Sequence, residues 1–74
     1  MVFDYSKLLG RIKECGFTQT ALAKKIGISV STLSEKLNNK YPFTMKEISA
    51  ICEALSISKE EIGVYFFAEK VQKS

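Results

Sequence analysis

Helix-starting and helix-ending residues alternate so closely along this chain that only short helices fit between them. Gly16, Gly27 and the pair Asn38–Asn39 tolerate left-handed backbone, which ends a helix. Residues that favour helix N-caps stand at Asp4, Thr18, Ser29, Thr44 and Ser58. The pattern predicts five short helices with very short connections, and therefore an all-α fold in one domain spanning residues 1–74.

Apolar residues recur at helical spacing within each of the first three segments. The predicted inward-facing residues are Tyr5, Leu8, Leu9, Ile12 and Cys15 in the first helix, Leu22, Ala23 and Ile26 in the second, and Leu33 and Leu37 in the third. The opposite face of the third helix carries Ser31, Thr32, Glu35, Lys36 and Asn38. Val30 has two possible roles, since its position suits both the core and a contact with a thymine methyl group.

Two capping boxes mark the starts of the fourth and fifth helices. Thr44 with Glu47, and Ser58 with Glu61, each place an acidic residue three positions after a hydroxyl N-cap. Ile48, Ile51, Cys52 and Leu55 then form the apolar stripe of the fourth helix. Segment 64–67 is β-branched and aromatic, so it fits either the fifth helix, which we favour, or an extended arm. A frayed tail is expected from there to Ser74.

Composition excludes several classes of function. The 74-residue chain has a net charge of +3 and contains no His, which removes the commonest general base and metal ligand. Cys15 and Cys52 form no CxxC pair, so we expect both thiols in the apolar core and no metal site. We expect no catalytic residues, no cofactor and no small-molecule ligand. The chain has no apolar run long enough for a membrane span and no signal-peptide pattern, which favours the cytoplasm.

Charge is distributed unevenly along the chain. Residues 1–40 carry seven basic and three acidic residues, a balance of +4, whereas residues 41–74 carry four basic and five acidic residues, a balance of −1. A polyanionic partner would therefore face the first half of the chain. That half contains residues 18–38, a short helix, a tight turn and a second helix with a polar outer face. Ala23 permits close approach of the two helices, and the exposed second helix has the width of a DNA major groove.

Residues 18–38 resemble the helix-turn-helix of the phage Cro/repressor family, also called the XRE family. The matching residues are Thr18-Gln19, Leu22-Ala23, Ile26-Gly27-Ile28-Ser29 and Leu33. The resemblance covers residues 5 to about 66 and implies a compact lambda-repressor-like DNA-binding domain. With Phe43-Thr44 and Tyr65-Phe66-Phe67, the layout is similar to small Cro-like proteins of prophages in Gram-positive bacteria.

The resemblance, together with the outward positions of several side chains, implies two sets of DNA contacts made around a recognition helix at 30–38. The residues expected to face base edges are Ser29, Val30, Ser31, Thr32 and Glu35. The residues expected to contact phosphates are Thr18, Gln19, Lys24, Lys25, Lys36, Asn38, Asn39 and Lys40. Lysine contacts of this kind contribute affinity without reading sequence.

Two functions of different class follow from these features. The first is a sequence-specific regulator of transcription that binds a double-stranded operator as a homodimer. The second is a protein-interaction module that binds and modulates a phage repressor. It is favoured by the modest charge and by the lack of Arg or Gln on the recognition face. In either case the C-terminal segment 62–74, with Tyr65, Phe66 and Phe67, is the candidate dimer or partner surface, unless these rings only cover the core.

Overall fold

The computed structural model describes residues 2–70, which form five α-helices. The helices are α1 (Ser6–Glu14), α2 (Gln19–Ile26), α3 (Val30–Leu37), α4 (Met45–Leu55) and α5 (Ile62–Phe66). A 3₁₀ turn, Lys59–Glu61, leads directly into α5. The predicted all-α class with five helices is confirmed, and the helical alternative for segment 64–67 holds as far as Phe66.

The second helix lies at the centre of the fold. It packs against α3 and α4, while α1 packs against α5. One continuous apolar core joins them, formed by Tyr5, Leu8, Ile12, Leu22, Ala23, Leu33, Leu37, Ile48, Ile51, Leu55, Ile57 and Phe66. Because Leu22 and Ala23 are buried against both neighbours, the position of α3 depends on α2 and on the body behind it.

Most of the predicted helix boundaries are confirmed. Gly16, Gly27 and Asn39 have φ of 80°, 82° and 64°, the left-handed backbone that ends α1, α2 and α3. The first helix begins slightly later than expected, with Tyr5 in the N-cap position. Asp4 still serves this end of the helix, since its Oδ1 accepts hydrogen bonds from the Ser6 N–H (2.9 Å) and hydroxyl (2.6 Å).

The predicted apolar stripe of α1 is wrong at its two edges. Leu9 is 40% exposed, because its direction on the helix lies about 100° away from that of the buried Leu8. Cys15 follows the last residue of α1 and is exposed, with its thiol 3.7 Å from the carbonyl oxygen of Leu55. The prediction that both thiols lie in the core therefore fails for Cys15, whereas Cys52 is half-buried against the core.

The two ends of the described chain pair with each other. Phe3 and Glu69 form an isolated antiparallel bridge, with hydrogen bonds from Asp4 N–H to Ala68 O (2.7 Å) and from Lys70 N–H to Val2 O (2.9 Å). The expected frayed tail is therefore wrong for residues 68–70. The rest of that tail, residues 71–74, lies outside the described residues.

Aromatic rings connect this bridge to the core. Phe3 contacts Tyr5 and Phe67, with ring centroids 6.2 and 5.7 Å apart. Phe43 contacts Tyr5 and Phe66 edge-on at 5.5 and 5.6 Å. The rings thus tie the N-terminal segment, the α3–α4 loop and α5 together. Among residues 2–70, no helix combines the length and apolar character needed to cross a membrane.

Candidate functional site

The α2–turn–α3 unit has the local geometry that its sequence predicts. Thr18 Oγ1 accepts a hydrogen bond from the Ala21 N–H (3.0 Å), and Ser29 Oγ accepts one from the Thr32 N–H (3.1 Å). Between the helices, the N–H groups of Gly27 and Ile28 both donate to the carbonyl oxygen of Ala23 (2.9 and 3.0 Å). These bonds satisfy the free backbone groups at the helix ends and hold α3 at a defined angle to α2.

The outer face of α3 presents the residues predicted to face base edges. Ser29, Val30 and Ser31 are exposed, and Val30 at 40% exposure lies outside the core that was its alternative position. Thr32 is half-buried, with its Oγ1 2.8 Å from Ser29 Oγ. Glu35 is half-buried and forms an ion pair with Lys40 (3.4 Å). This surface is polar apart from Val30, and its one carboxylate, Glu35, pairs with Lys40.

The outward placement predicted for Lys36 is wrong. Its side chain is only 11% exposed, and Nζ lies 2.5 Å from both carboxylate oxygens of Glu47 on α4. Lys36 follows Leu33 by three residues, so it lies at the flank of the buried stripe, where α4 covers it. The sequence indicated this burial, because Lys36 lies three residues after Leu33 and one residue before Leu37, both of which were predicted to face the core. Its partner Glu47 was identified only as a helix cap.

The remaining predicted phosphate contacts divide into free and engaged side chains. Lys24 and Lys25 are exposed and form no ion pair within residues 2–70. Gln19 is half-buried at the start of α2. Asn38 donates from Nδ2 to the carbonyl oxygen of Ser34 (2.8 Å). The Thr18 hydroxyl caps α2. Lys40 is paired with Glu35, so two of the four lysines predicted to contact phosphate, Lys36 and Lys40, form ion pairs.

Asn39 has a structural partner that the sequence did not indicate. Its Oδ1 accepts from the Phe3 N–H and its Nδ2 donates to the Phe3 carbonyl, both at 2.9 Å. The side-chain amide thus pairs with backbone as a neighbouring strand does. The Asn39 side chain, which was predicted to contact DNA phosphate, is therefore engaged through both its oxygen and its nitrogen, and it attaches the end of α3 to the bridge between the chain ends.

The pKa of Glu47 reflects opposing effects of burial and hydrogen bonding. Burial raises the pKa of its carboxyl, but the hydrogen bonds from Lys36 and Thr44 outweigh burial and hold the pKa below its ordinary value of 4.5. The carboxylate is therefore charged at neutral pH, and it pairs with Lys36 of α3, the only buried cation among the described residues.

The aromatic segment predicted as a partner surface is only partly exposed. Phe66 is 1% exposed, because its ring packs into the core against Phe43. Tyr65 is half-buried, whereas Phe67 is 49% exposed and lies edge-on to Phe3. The prediction fails for Phe66, and the exposed apolar area here is formed by Phe67 with Val64 one turn earlier.

Comparison with known proteins finds a family model and a solved structure that match almost the whole chain. The family model described as "Protein of unknown function (DUF739)" matches residues 1–69. The solution structure of the modulator of repression (MOR) of the temperate bacteriophage TP901-1 from Lactococcus lactis is 40% identical, with a TM-score of 0.78. The match covers 97% of each chain. None of the curated proteins matches this chain.

These matches test one part of the resemblance predicted from the sequence, the similarity to phage proteins. The similarity to a phage regulatory protein is confirmed, because MOR matches over nearly the whole length. Membership of the XRE family stays a prediction, as do DNA binding and a homodimer. Since the family model spans almost every residue, the chain belongs to the DUF739 family of proteins of unknown function.

Proposed function

We propose that this protein binds a phage repressor and modulates the repressor's activity. The observation that carries the proposal is the 40% identity to the TP901-1 modulator of repression over 97% of both chains. A match of this extent includes α2, α3 and their surroundings. The protein therefore acts as a protein-interaction module built on a helix-turn-helix scaffold.

The electrostatics of α3 support a protein partner over a nucleic acid. A helix that binds the phosphate backbone needs unpaired cations around it. Here Lys36 is buried against Glu47, and Lys40 is paired with Glu35. Glu35 also places a carboxylate on the face that would meet the DNA, where it repels phosphates and could accept hydrogen bonds only from the amino groups of cytosine and adenine.

The test is a three-way binding experiment with a candidate phage repressor and its operator DNA. The chain and the repressor are mixed and analysed by size-exclusion chromatography with light scattering. Operator DNA is then titrated with the chain alone, the repressor alone and both together, across a salt series. We expect a chain–repressor complex and a changed repressor affinity for DNA, with no operator binding by the chain alone at physiological salt. Specific operator binding without any complex would contradict the proposal.

A second candidate function is direct, sequence-specific DNA binding as a transcriptional regulator. The observation that favours it is the exposed outer face of α3, with Ser31 and Val30. Lys24 and Lys25 of α2 are also exposed and form no ion pair within residues 2–70. A Ser31→Ala/Glu35→Ala variant separates the two functions. It lowers operator binding if the chain reads bases, and it leaves a complex with the repressor unchanged if that complex uses another surface.

A further inference from the structure

Two grooves flank the exposed side of α1. The α1–α2 groove, about 510 Å³, is lined by Leu9, Gly10, Ile12, Lys13 and Phe17 and ends at Thr18 and Gln19. The α1–α3 groove, about 440 Å³, runs from the N-terminal segment to Leu37, Asn38 and Asn39. Leu9 belongs to the wall of both grooves. The two grooves therefore form one surface with Leu9 as the ridge between them.

This surface is apolar where a phosphate backbone would be expected. Leu9 is 40% exposed, and Ile12 and Phe17 form the floor and side of the α1–α2 groove. A Cβ added at Gly10 would meet no heavy atom within 4 Å, so the groove is open beside the ridge. Thr18, Gln19 and Asn38, all predicted phosphate contacts, line its ends. An apolar ridge at this place suits a protein side chain better than a phosphate.

The charge along the grooves is positive. Lys13 lines the α1–α2 groove and Lys70 lines the α1–α3 groove, and neither forms an ion pair within residues 2–70. The one acidic residue in the two linings is Asp4. Its carboxylate already accepts two hydrogen bonds from Ser6 at the start of α1. Asp4 and Lys70 line the same groove and their charges offset each other, whereas no acidic residue lines the groove of Lys13. Lys13 is therefore the rim cation that is available to an acidic group of a partner.

We infer that the Leu9 ridge and its two grooves hold an amphipathic helix of the repressor, with an acidic residue on that helix facing Lys13. Side chains three or four positions apart on a helix lie about 5–6 Å from each other. Two such apolar side chains enter the grooves on either side of Leu9, which is the packing of ridges into grooves. The inference rests on the proposed function and names the surface that performs it.

The main test compares Leu9→Lys with Val64→Lys. Both residues are exposed helical side chains, at 40% and 45%, and Val64 lines neither of the two grooves. Affinity for the repressor is measured by isothermal titration calorimetry, and circular dichroism verifies that each variant is folded. We expect Leu9→Lys to weaken binding about tenfold or more, as for a central apolar contact. We expect Val64→Lys to stay within about twofold of the unmodified chain.

Two further variants keep the test valid if Leu9→Lys destabilises the chain. Gly10→Leu replaces a poor helix former and fills the α1–α2 groove, so it should stabilise the free chain while weakening repressor binding about tenfold. Lys13→Glu reverses a rim charge, so it should slow association and reduce the salt dependence of binding. A repressor peptide with its acidic residues changed to Lys should bind Lys13→Glu better than the unmodified chain.

The outcomes separate the two proposals. If the unmodified chain forms no complex with the repressor, the proposed function fails. If the complex forms, but Leu9→Lys and Gly10→Leu bind normally while Val64→Lys or Phe67→Ser does not, the partner uses the α5 surface and the present inference is overturned. If operator DNA alone is bound and Leu9→Lys weakens that binding, the surface contacts DNA, which overturns the choice of a repressor helix.

Discussion

Two capping boxes with the same sequence pattern have very different surroundings. In the first, Thr44 Oγ1 accepts from the Glu47 N–H (3.1 Å), and Glu47 accepts from the Thr44 N–H (2.8 Å) while also holding Lys36 of α3. In the second, Glu61 accepts from the N–H (3.2 Å) and hydroxyl (3.0 Å) of Ser58. The Glu61 carboxylate forms no other hydrogen bond or ion pair within residues 2–70. The same local motif therefore contributes a contact between helices only in the first box, where Lys36 of α3 reaches Glu47.

The first box links α3 to the rest of the fold. The side chains of Lys36 and Glu47 are 11% and 14% exposed, so their attraction is poorly screened by water. Glu47 Oε1 accepts from both the Thr44 N–H and Lys36 Nζ, which makes one carboxylate serve a cap and an ion pair. The position of α3 therefore depends on Glu47, a residue that its sequence context marks only as a helix start.

The largest expected effect comes from Glu47→Gln. The amide can still accept from Thr44, but it leaves the buried Lys36 ammonium without a counter-charge. Breaking such a pair by removing one partner should lower the free energy of unfolding by about 2–4 kcal/mol. For a domain of this size, Tm should fall by at least about 8 °C. Thermal and urea unfolding followed by circular dichroism measure both quantities.

The control for that prediction is the double variant Lys36→Met/Glu47→Gln. Replacing both charges removes the unpaired ammonium and adds apolar contact, so it should recover much of the stability lost in Glu47→Gln. An equal loss in the single and double variants would mean that the cap, and not the ion pair, carries the energy.

Asn39→Ala should have the next largest effect. The substitution removes both hydrogen bonds to the Phe3 backbone and places Ala at φ 64°, which an L-residue adopts at a cost. We expect a loss of about 1–3 kcal/mol in the free energy of unfolding. Asn39→Gly keeps the backbone conformation without the side chain, so it should lose less. Hydrogen exchange at Phe3 should become faster in both variants.

The pH dependence of Tm should also differ between the two capping boxes, because their glutamates differ in burial. The pKa of Glu47 is lowered from 4.5, so its contribution is complete above that pH and is lost as the pH falls through the folded-state pKa. The Tm of the unmodified chain should therefore fall below about pH 4.5 more steeply than the Tm of Glu47→Gln. The Glu61→Gln variant should keep most of this steep fall in Tm, because the Glu61 carboxylate that it removes is exposed to water and contributes little. Parallel pH profiles for all three chains would contradict the expectation.

Glu61→Gln should have the smallest effect. The hydrogen bonds from Ser58 lower the pKa of Glu61, but solvent screens an exposed carboxylate and the amide still accepts from Ser58. We expect Tm at neutral pH to change by no more than about 3 °C. A loss as large as that of Glu47→Gln would remove the difference between the two boxes.

Short-range features of the fold were predictable because each depends on a few neighbouring residues. The caps at Thr18, Ser29 and Thr44 close hydrogen bonds over three positions, and Gly27 relieves backbone strain by itself. These interactions are the same in any tertiary context. For that reason the helix-turn-helix and the five-helix order were accessible from the sequence.

The candidate site was less predictable, because its side chains have partners far away in the chain. Lys36 meets Glu47, and Asn39 meets Phe3 across 36 positions. A helical wheel gives the direction of a side chain but not what lies in that direction. Phe66 was therefore placed on a partner surface although it is buried, and Leu9 was placed in the core although it forms an exposed ridge.

The sequence by itself determined where helices begin and end, and that a short, capped helix pair with a tight glycine turn lies between residues 18 and 38. These are consequences of backbone conformation and local hydrogen bonding. Only the tertiary structure decided which cations near α3 remain available, which capping box bears an ion pair, and that two grooves meet at Leu9. These depend on the packing of distant segments, because burial and pairing are properties of neighbours in space.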